Sequence, residues 1–171
     1  MSTLPSCDPS RQKAALLSAA AAAFGLRFLS PAITADLDKS CAALSAGIEE
    51  IAAAGSAENR MPLCDKAIVR CDAVNLIFRS FLRSSGILTW DKDAPETRDA
   101  RKACSRPDFG LAQLMPVVES KTDDEVANTL ICLVCQIQHQ LDQMQKQHEL
   151  VYMAAGGNAD KLRLLRSGKR K

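Results

Sequence analysis

Hydrophobic positions repeat at helical spacing over residues 123–155, and this stretch carries the strongest pattern in the chain. Its apolar residues recur every three or four positions, which predicts one long helix with a narrow apolar stripe. Thr122 and the acids after it favour a helix start, and Gly156 and Gly157 favour a helix end. Written as heptads, the stripe has Ala127, Val134, Leu141 and His148 at a, and Leu130, Ile137, Met144 and Val151 at d.

Three more long helices are predicted upstream from similar stripes and from start and stop signals. Asp8 followed by Pro9 predicts a first helix over 8–28, and Ser30 followed by Pro31 predicts a second over 31–54. A third is predicted over 62–85.

Residues 87–116 are less regular. Short helices are predicted over 95–104 and 107–115, with Pro116 ending the second. Residues 87–90 form the one short strand candidate.

These elements predict an all-α fold, a helical bundle of about four principal helices with one long C-terminal helix having coiled-coil-like heptads. A chain of 171 residues fits one domain and is long enough to bury a sizeable core. We predict a flexible N-terminus over 1–8, a single helical domain over 9–155, and a basic flexible tail over 156–171.

The two halves of the long helix differ in composition. The first half is apolar on nearly every side, whereas the half after Gln138 keeps a narrow stripe flanked by glutamines. At 1.5 Å per residue the helix is about 50 Å long, more than a compact domain of this size needs. We therefore expect the second half to bind a second copy or another protein, while packing within its own chain is the alternative. The predicted partner-binding residues are Ile137, Leu141, Met144, His148 and Val151.

His148 occupies an a position where an apolar residue is usual. If it is paired across a dimer, association is expected to weaken below the pKa of its imidazole. The alternative interpretation is an ordinary polar residue at an interface.

Seven cysteines, an odd number, lie mostly within the helical patterns. This favours reduced thiols and an intracellular protein over a disulfide framework. Cys132, Cys135 and His139 share one helix face at i, i+3 and i+7, so they are a candidate zinc site that lacks a fourth ligand. Core packing is the preferred interpretation of these thiols, with a redox role as a further alternative. We predict no metal and no cofactor.

The net charge of +2 conceals an asymmetry between the body and the tail. The last eleven residues hold six of the 22 bases and no acid, which leaves sixteen bases against the 20 acids in the remainder. Such a tail is expected to contact an acidic partner or nucleic acid, to direct nuclear import, or simply to be solvated; contact with a membrane surface is less favoured. Its bases are Lys161, Arg163, Arg166, Lys169, Arg170 and Lys171.

The apolar segment over residues 14–26 follows Arg11 and Lys13 and resembles a weak targeting sequence. Arg27 and Pro31 interrupt the expected cleavage region, so a cytoplasmic or nuclear location is preferred, with secretion and mitochondrial import left open.

Catalytic motifs do not occur in this sequence: there is no Gly-rich phosphate loop, Gly-x-Ser-x-Gly or His-Glu-x-x-His. The sequence therefore predicts a non-enzymatic helical interaction protein without a small-molecule substrate. It is expected to bind itself or a protein partner through the C-terminal helix, and a homo-oligomer is the preferred assembly. The alternative is a nucleic-acid-binding accessory protein that uses the basic tail.

Overall fold

The computed structural model describes residues 4–85, 95–120 and 123–167, and the described residues form helices and no strands. Where about four principal helices were predicted, this part of the chain contains seven, four of them longer than 20 residues. In chain order they are α1 (Asp8–Phe28), α2 (Pro31–Ala53), α3 (Ala57–Ser85), α4 (Pro95–Ser105), α5 (Leu111–Ser120), α6 (Asp123–Ala154) and α7 (Ala159–Ser167). The strand candidate at 87–90 lies outside the described residues.

Helix starts follow local chemistry, although the predicted start of α3 is wrong. Ser30 caps α2 as predicted, because its hydroxyl accepts a hydrogen bond from the amide of Ile33. α3 starts five residues before Pro62, and the Ser56 hydroxyl accepts from the amide of Asn59 in its first turn. α1 is preceded by Cys7 rather than capped by Asp8.

Proline is a weaker stop signal in this chain than predicted. Pro116 lies within α5 instead of ending it, and α5 starts at Leu111, four residues after Pro107. Each internal proline removes one backbone donor, which the packing of the surrounding helix tolerates.

The end of α6 confirms the glycine signal. Gly156 has φ of +89°, in the left-handed region that favours glycine. The amide of Gly156 donates to the carbonyl of Met153 and that of Gly157 to the carbonyl of Tyr152, which together form a Schellman motif. The chain then reverses, and α7 packs against α3.

The core is centred on the first half of α6, which packs against α1, α3 and α4, while α2 covers α1 and α3. The prediction that this half is surrounded by protein is confirmed, since all its apolar side chains from Leu130 to Val134 are buried, as is Ile137. Thr97 on α4 donates to Asn128 on α6, so this buried polar pair is satisfied. On the opposite side, the Lys13 ammonium donates to the carbonyl of Cys104 and ties α1 to α4.

Among the described residues, no helix is sufficiently long and apolar to cross a membrane.

Candidate interaction surface on α6

The predicted partner-binding residues of the stripe lie inside the protein. Ile137, Leu141 and His148 are fully buried, Met144 is nearly so, and Val151 is half-buried. The first four residues are therefore covered by their own chain in this arrangement, and their contact with a partner stays a prediction. The alternative, packing within the chain, describes their placement.

The helix that covers the stripe is α3. Gln138 donates to Asp72, and seven residues later Gln145 donates to Asp65, both at 2.9 Å. As the position rises by seven on α6 and falls by seven on α3, the two helices run antiparallel with matched heptad spacing. The apolar stripe of α6 is therefore covered by α3 of the same chain. This is possible because α3 has an apolar stripe of its own and is nearly as long as α6.

His148 is packed into this interior without a hydrogen bond. Neither ring nitrogen has a partner among the described residues. Burial, together with the nearby Arg60 guanidinium, lowers the pKa of its imidazole to about 4. Because His148 is fully buried, its ring is not accessible to a second copy in this arrangement, and the pair across a dimer stays a prediction.

The outward side of the C-terminal half of α6 is the exposed one. Gln143, Lys146, Gln147, Leu150 and Met153 are all exposed there, at spacings of three or four. We call these five residues the outer face of α6. Leu150 has 72% of its surface exposed, the largest fraction for a large apolar side chain in the described part of the chain. Met153, three positions later, is 40% exposed.

A small cleft of about 180 Å³ adjoins the outer face, between the start of α1 and the middle of α6. Gln143 and Gln147 belong to both, and His139 and Met144 complete the α6 side. Ser10 lines the cleft from α1 and is 1% exposed, yet its hydroxyl has no hydrogen-bond partner among the described residues.

Gln140 lines the same cleft. Its Oε1 atom is buried and also lacks a described partner. Both atoms are therefore buried beside the cleft rather than exposed in it.

Part of the segment predicted to be a basic flexible tail over 156–171 forms the helix α7. Asn158 caps α7 by accepting from the amides of Asp160 and Lys161. Leu165 is buried, so α7 places an apolar side chain against the body. Within the N-terminus that was predicted to be flexible over 1–8, the Cys7 side chain is buried.

Two of the predicted tail bases meet acids of their own chain. Lys161 forms an ion pair with Glu58 of α3, and Arg163 forms one with Asp160. Both pairs are exposed and therefore weak. The Arg166 side chain, Lys169, Arg170 and Lys171 lie outside the described part.

The zinc candidate does not assemble. The Cys132 thiol contacts the carbonyl of Thr97 on α4, whereas His139 lines the cleft beside α1. Among the described residues, no group of three or more His, Cys, Asp or Glu side chains is placed to hold a metal ion.

Burial also suppresses thiol chemistry. It raises the pKa of Cys41, Cys64, Cys71 and Cys104 to about 12 and that of Cys132 to about 11, and it raises those of Cys7 and Cys135 as well. Thiols held in the protonated form are poor nucleophiles and poor metal ligands.

No protein-family model, curated protein or solved structure matches this chain.

A larger cleft of about 430 Å³ lies between α1 and the turn before α5. Its walls are mostly apolar, with Leu16, Phe109 and Leu111 among them. None of the predicted site residues lines it.

Sequence reasoning missed Leu150, Met153, Ser10 and Gln140. A signal for the first two was present, because both are apolar at heptad positions c and f, outside the stripe. No signal was present for Ser10, whose importance depends on a contact between α1 and α6 that are far apart in the sequence.

Proposed function

We propose that this protein is a non-enzymatic helical interaction protein whose contact surface is the outer face of α6. The observation that carries the proposal is the exposure of Leu150, with Met153 one turn beyond it. A contact there would remove both side chains from water and gain on the order of 1–3 kcal/mol for each. The partner is a second copy of the chain or another protein.

The chemistry of the described side chains supports a binding role over catalysis. The cysteine thiols have raised pKa values and are held protonated. His148 is buried and lines neither of the two clefts described above, and its lowered pKa makes it a weak base. General acid–base and nucleophilic catalysis need such groups accessible and close to neutrality, which these are not.

The proposal is tested with Leu150→Asp combined with Met153→Asp in the full chain. The matched control is Val69→Asp with Leu76→Asp, which adds the same charges at two exposed apolar positions of α3. Sedimentation at low and high concentration measures self-association. Proteins captured from cells are then identified, purified and rebound to each variant, and circular dichroism verifies the fold.

Loss of self-association or of binding to the purified partner in the α6 variant alone is the expected result. Equal binding by wild type and the α6 variant, or loss confined to the α3 variant, would place the contact elsewhere and overturn the proposal.

The second candidate function is nucleic-acid binding through the tail. Arg163 and Lys161 stay more than half exposed despite their ion pairs, so a phosphate backbone has access to both. Replacing the six tail bases with glutamine while keeping Leu165 preserves the docking of α7. If the tail has this role, the wild type is expected to bind RNA or DNA with an affinity that falls steeply with salt, and the variant is expected not to bind. Salt-independent binding, or no binding by the wild type, would reject this function.

A further inference from the structure

Five basic residues lie where the end of α3 and the helix α4 pack on α6. α4 contributes Arg98, Arg101 and Lys102, and the end of α3 contributes Arg79 and Arg83. Four of them are exposed, and Arg79 is half-buried. We call these five residues the basic surface, and we infer that it binds the phosphate backbone of a nucleic-acid duplex. This goes beyond the proposed function, because the outer face of α6 takes no part in it.

The three residues from α4 share one side of that helix. Arg101 and Lys102 follow Arg98 at i+3 and i+4, the spacing at which helical side chains are neighbours. Within the described chain, neither the Arg98 nor the Lys102 side chain has an ion pair or a hydrogen bond, and this includes the exposed Asp99 of the same helix. Both charges therefore face solvent without a described acid to neutralise them.

The Cys135 thiol of α6 shows that the residues from α3 lie beside those from α4. The guanidinium groups of Arg79 and Arg101 both oppose the rise that burial causes in the pKa of this thiol. A positive charge has that effect only if it lies near the sulfur atom. Arg83 follows Arg79 by one helical turn, so it extends the same side of α3. The two helices thus contribute to one surface.

Elsewhere on the described body the basic residues are dispersed. Arg11 and Arg106 pair with acids of their own chain. Lys39 and Lys146 have no other basic residue three or four positions away. The chain before its last eleven residues has more acids than bases, so the basic surface reverses the charge of the body locally and attracts an anionic partner.

The chemistry of the basic surface favours phosphate among anionic groups. Four of its five residues are arginine, whose planar guanidinium group binds phosphate oxygens through two parallel hydrogen bonds. An acidic lipid surface also presents phosphate, but contact with it normally includes an inserted apolar side chain. The described side chains of α4 include no exposed large apolar residue.

The spacing on α4 fits the backbone of a duplex. Arg98 and Lys102 lie about 6 Å apart along the helix. Each strand of a duplex presents a phosphate about every 3.4 Å along its axis, so two long side chains at this spacing reach phosphates of one strand. No exposed aromatic side chain is described on α3 or α4, and a single strand would require such side chains to stack its nucleobases.

The test is fluorescence anisotropy of a labelled RNA duplex and of a DNA duplex of equal length, titrated with the full chain at several salt concentrations. Arg98→Gln with Lys102→Gln removes two charges from the basic surface. Lys39→Gln with Lys66→Gln is the matched control, since it removes two charges at exposed positions of α2 and α3. The variant with glutamine at the six tail bases separates the basic surface from the tail, and circular dichroism verifies the fold of each protein.

The wild type is expected to bind a duplex with an affinity that falls steeply with salt. The Arg98→Gln, Lys102→Gln variant is expected to bind about 10-fold more weakly at about 0.1 M salt. The slope of log affinity against log salt is expected to become shallower by about 2, which is about one for each lost phosphate contact. The matched control is expected to bind like the wild type, and the tail variant is expected to keep the binding that depends on Arg98 and Lys102.

Three results would overturn the inference. They are no duplex binding by the wild type, equal affinity of the basic-surface variant and its control, and binding only to vesicles that contain phosphatidylserine. If the tail variant alone lost duplex binding, the nucleic-acid contact would belong to the tail. None of these results bears on the outer face of α6, because Leu150→Asp with Met153→Asp leaves all five residues of the basic surface in place.

Discussion

Gln145 on α6 donates a hydrogen bond to Asp65 on α3, at 2.9 Å and across 80 positions of sequence. Gln145 is almost fully buried and Asp65 is half-buried. Together with the bond from Gln138 to Asp72 one heptad away, it fixes the register in which the two longest helices pair. A glutamine that flanks an apolar stripe can thus hold two helices of one chain together as well as mark an interface between chains.

The first prediction is that the two glutamine–aspartate bonds differ in strength. Substituting alanine at Asp65 and Gln145, singly and together, is expected to give a coupling of about 1–2 kcal/mol in the free energy of unfolding, because a hydrogen bond to a charged, partly buried group is strong. The same set of substitutions at Asp72 and Gln138 is expected to give a smaller coupling free energy, because Asp72 is exposed. Urea unfolding of the six variants and wild type measures both couplings. Equal couplings would contradict the assignment of register to the buried pair.

The second prediction concerns the stripe itself. Leu141→Ala is expected to lower the free energy of unfolding by about 2–5 kcal/mol, because Leu141 is fully buried in the core. Leu150→Ala, at an exposed position on the same helix, is expected to change it by less than about 0.5 kcal/mol. Chemical unfolding gives both values. A small effect at Leu141 accompanied by weaker self-association would instead restore the stripe as an intermolecular surface.

The sequence was sufficient to predict the helical class of the described chain, the extent of α6 and its glycine end, because these depend on residues close together in the chain. It was insufficient to predict which helix covers the stripe. Heptad spacing indicates that Leu141 packs against another helix. It does not indicate whether that helix is α3 or belongs to another copy of the chain, because either would bury the side chain equally well.

The tail illustrates the same limit. Leu162 and Leu165 lie on one side of α7 and are compatible with a helix that packs on the body. The prediction of a flexible segment was based on the six bases instead. Leu165 is nevertheless buried against the body, and Lys161 pairs with Glu58 at the start of α3, about 100 residues away in sequence. The cleft was unpredictable for a related reason, since it exists only where α1 meets α6.

The third prediction concerns the reactivity of the cysteines. Cys135 is the only half-buried thiol of the seven, and Arg79 and Arg101 act against the rise that burial causes in its pKa. We expect one thiol to react readily with a disulfide reagent at about pH 8 and the other six to react about 100-fold more slowly, because the thiolate is the reactive form.

Cys135→Ser is expected to remove the fast phase, whereas Cys71→Ser, a change at a fully buried thiol, is expected to leave it in place. Denaturant should make all seven thiols of wild type reactive. A second fast thiol in the native protein would show that another cysteine is less protected than its burial indicates.

The last prediction concerns pH. The pKa of His148 is lowered to about 4 in the folded protein, from about 6.5 in an unfolded chain. Between these values the unfolded state binds the proton and the folded state does not, so the free energy of unfolding decreases as pH falls from about 6.5 towards 4. Linkage gives a loss of about 2 kcal/mol between about pH 7.5 and pH 5 from this imidazole, to which other titrating groups add their own contributions.

His148→Leu isolates the imidazole, because leucine fills much of the same space without a nitrogen to protonate. The variant is expected to lose less stability than wild type over the same pH interval, by about 2 kcal/mol. His139→Leu is the matched control, since His139 is exposed and has no comparable burial. Urea unfolding of the three proteins at both pH values measures these differences. If the free energy of unfolding has the same pH dependence in wild type and in His148→Leu, the ring reaches water or a hydrogen-bond partner in solution.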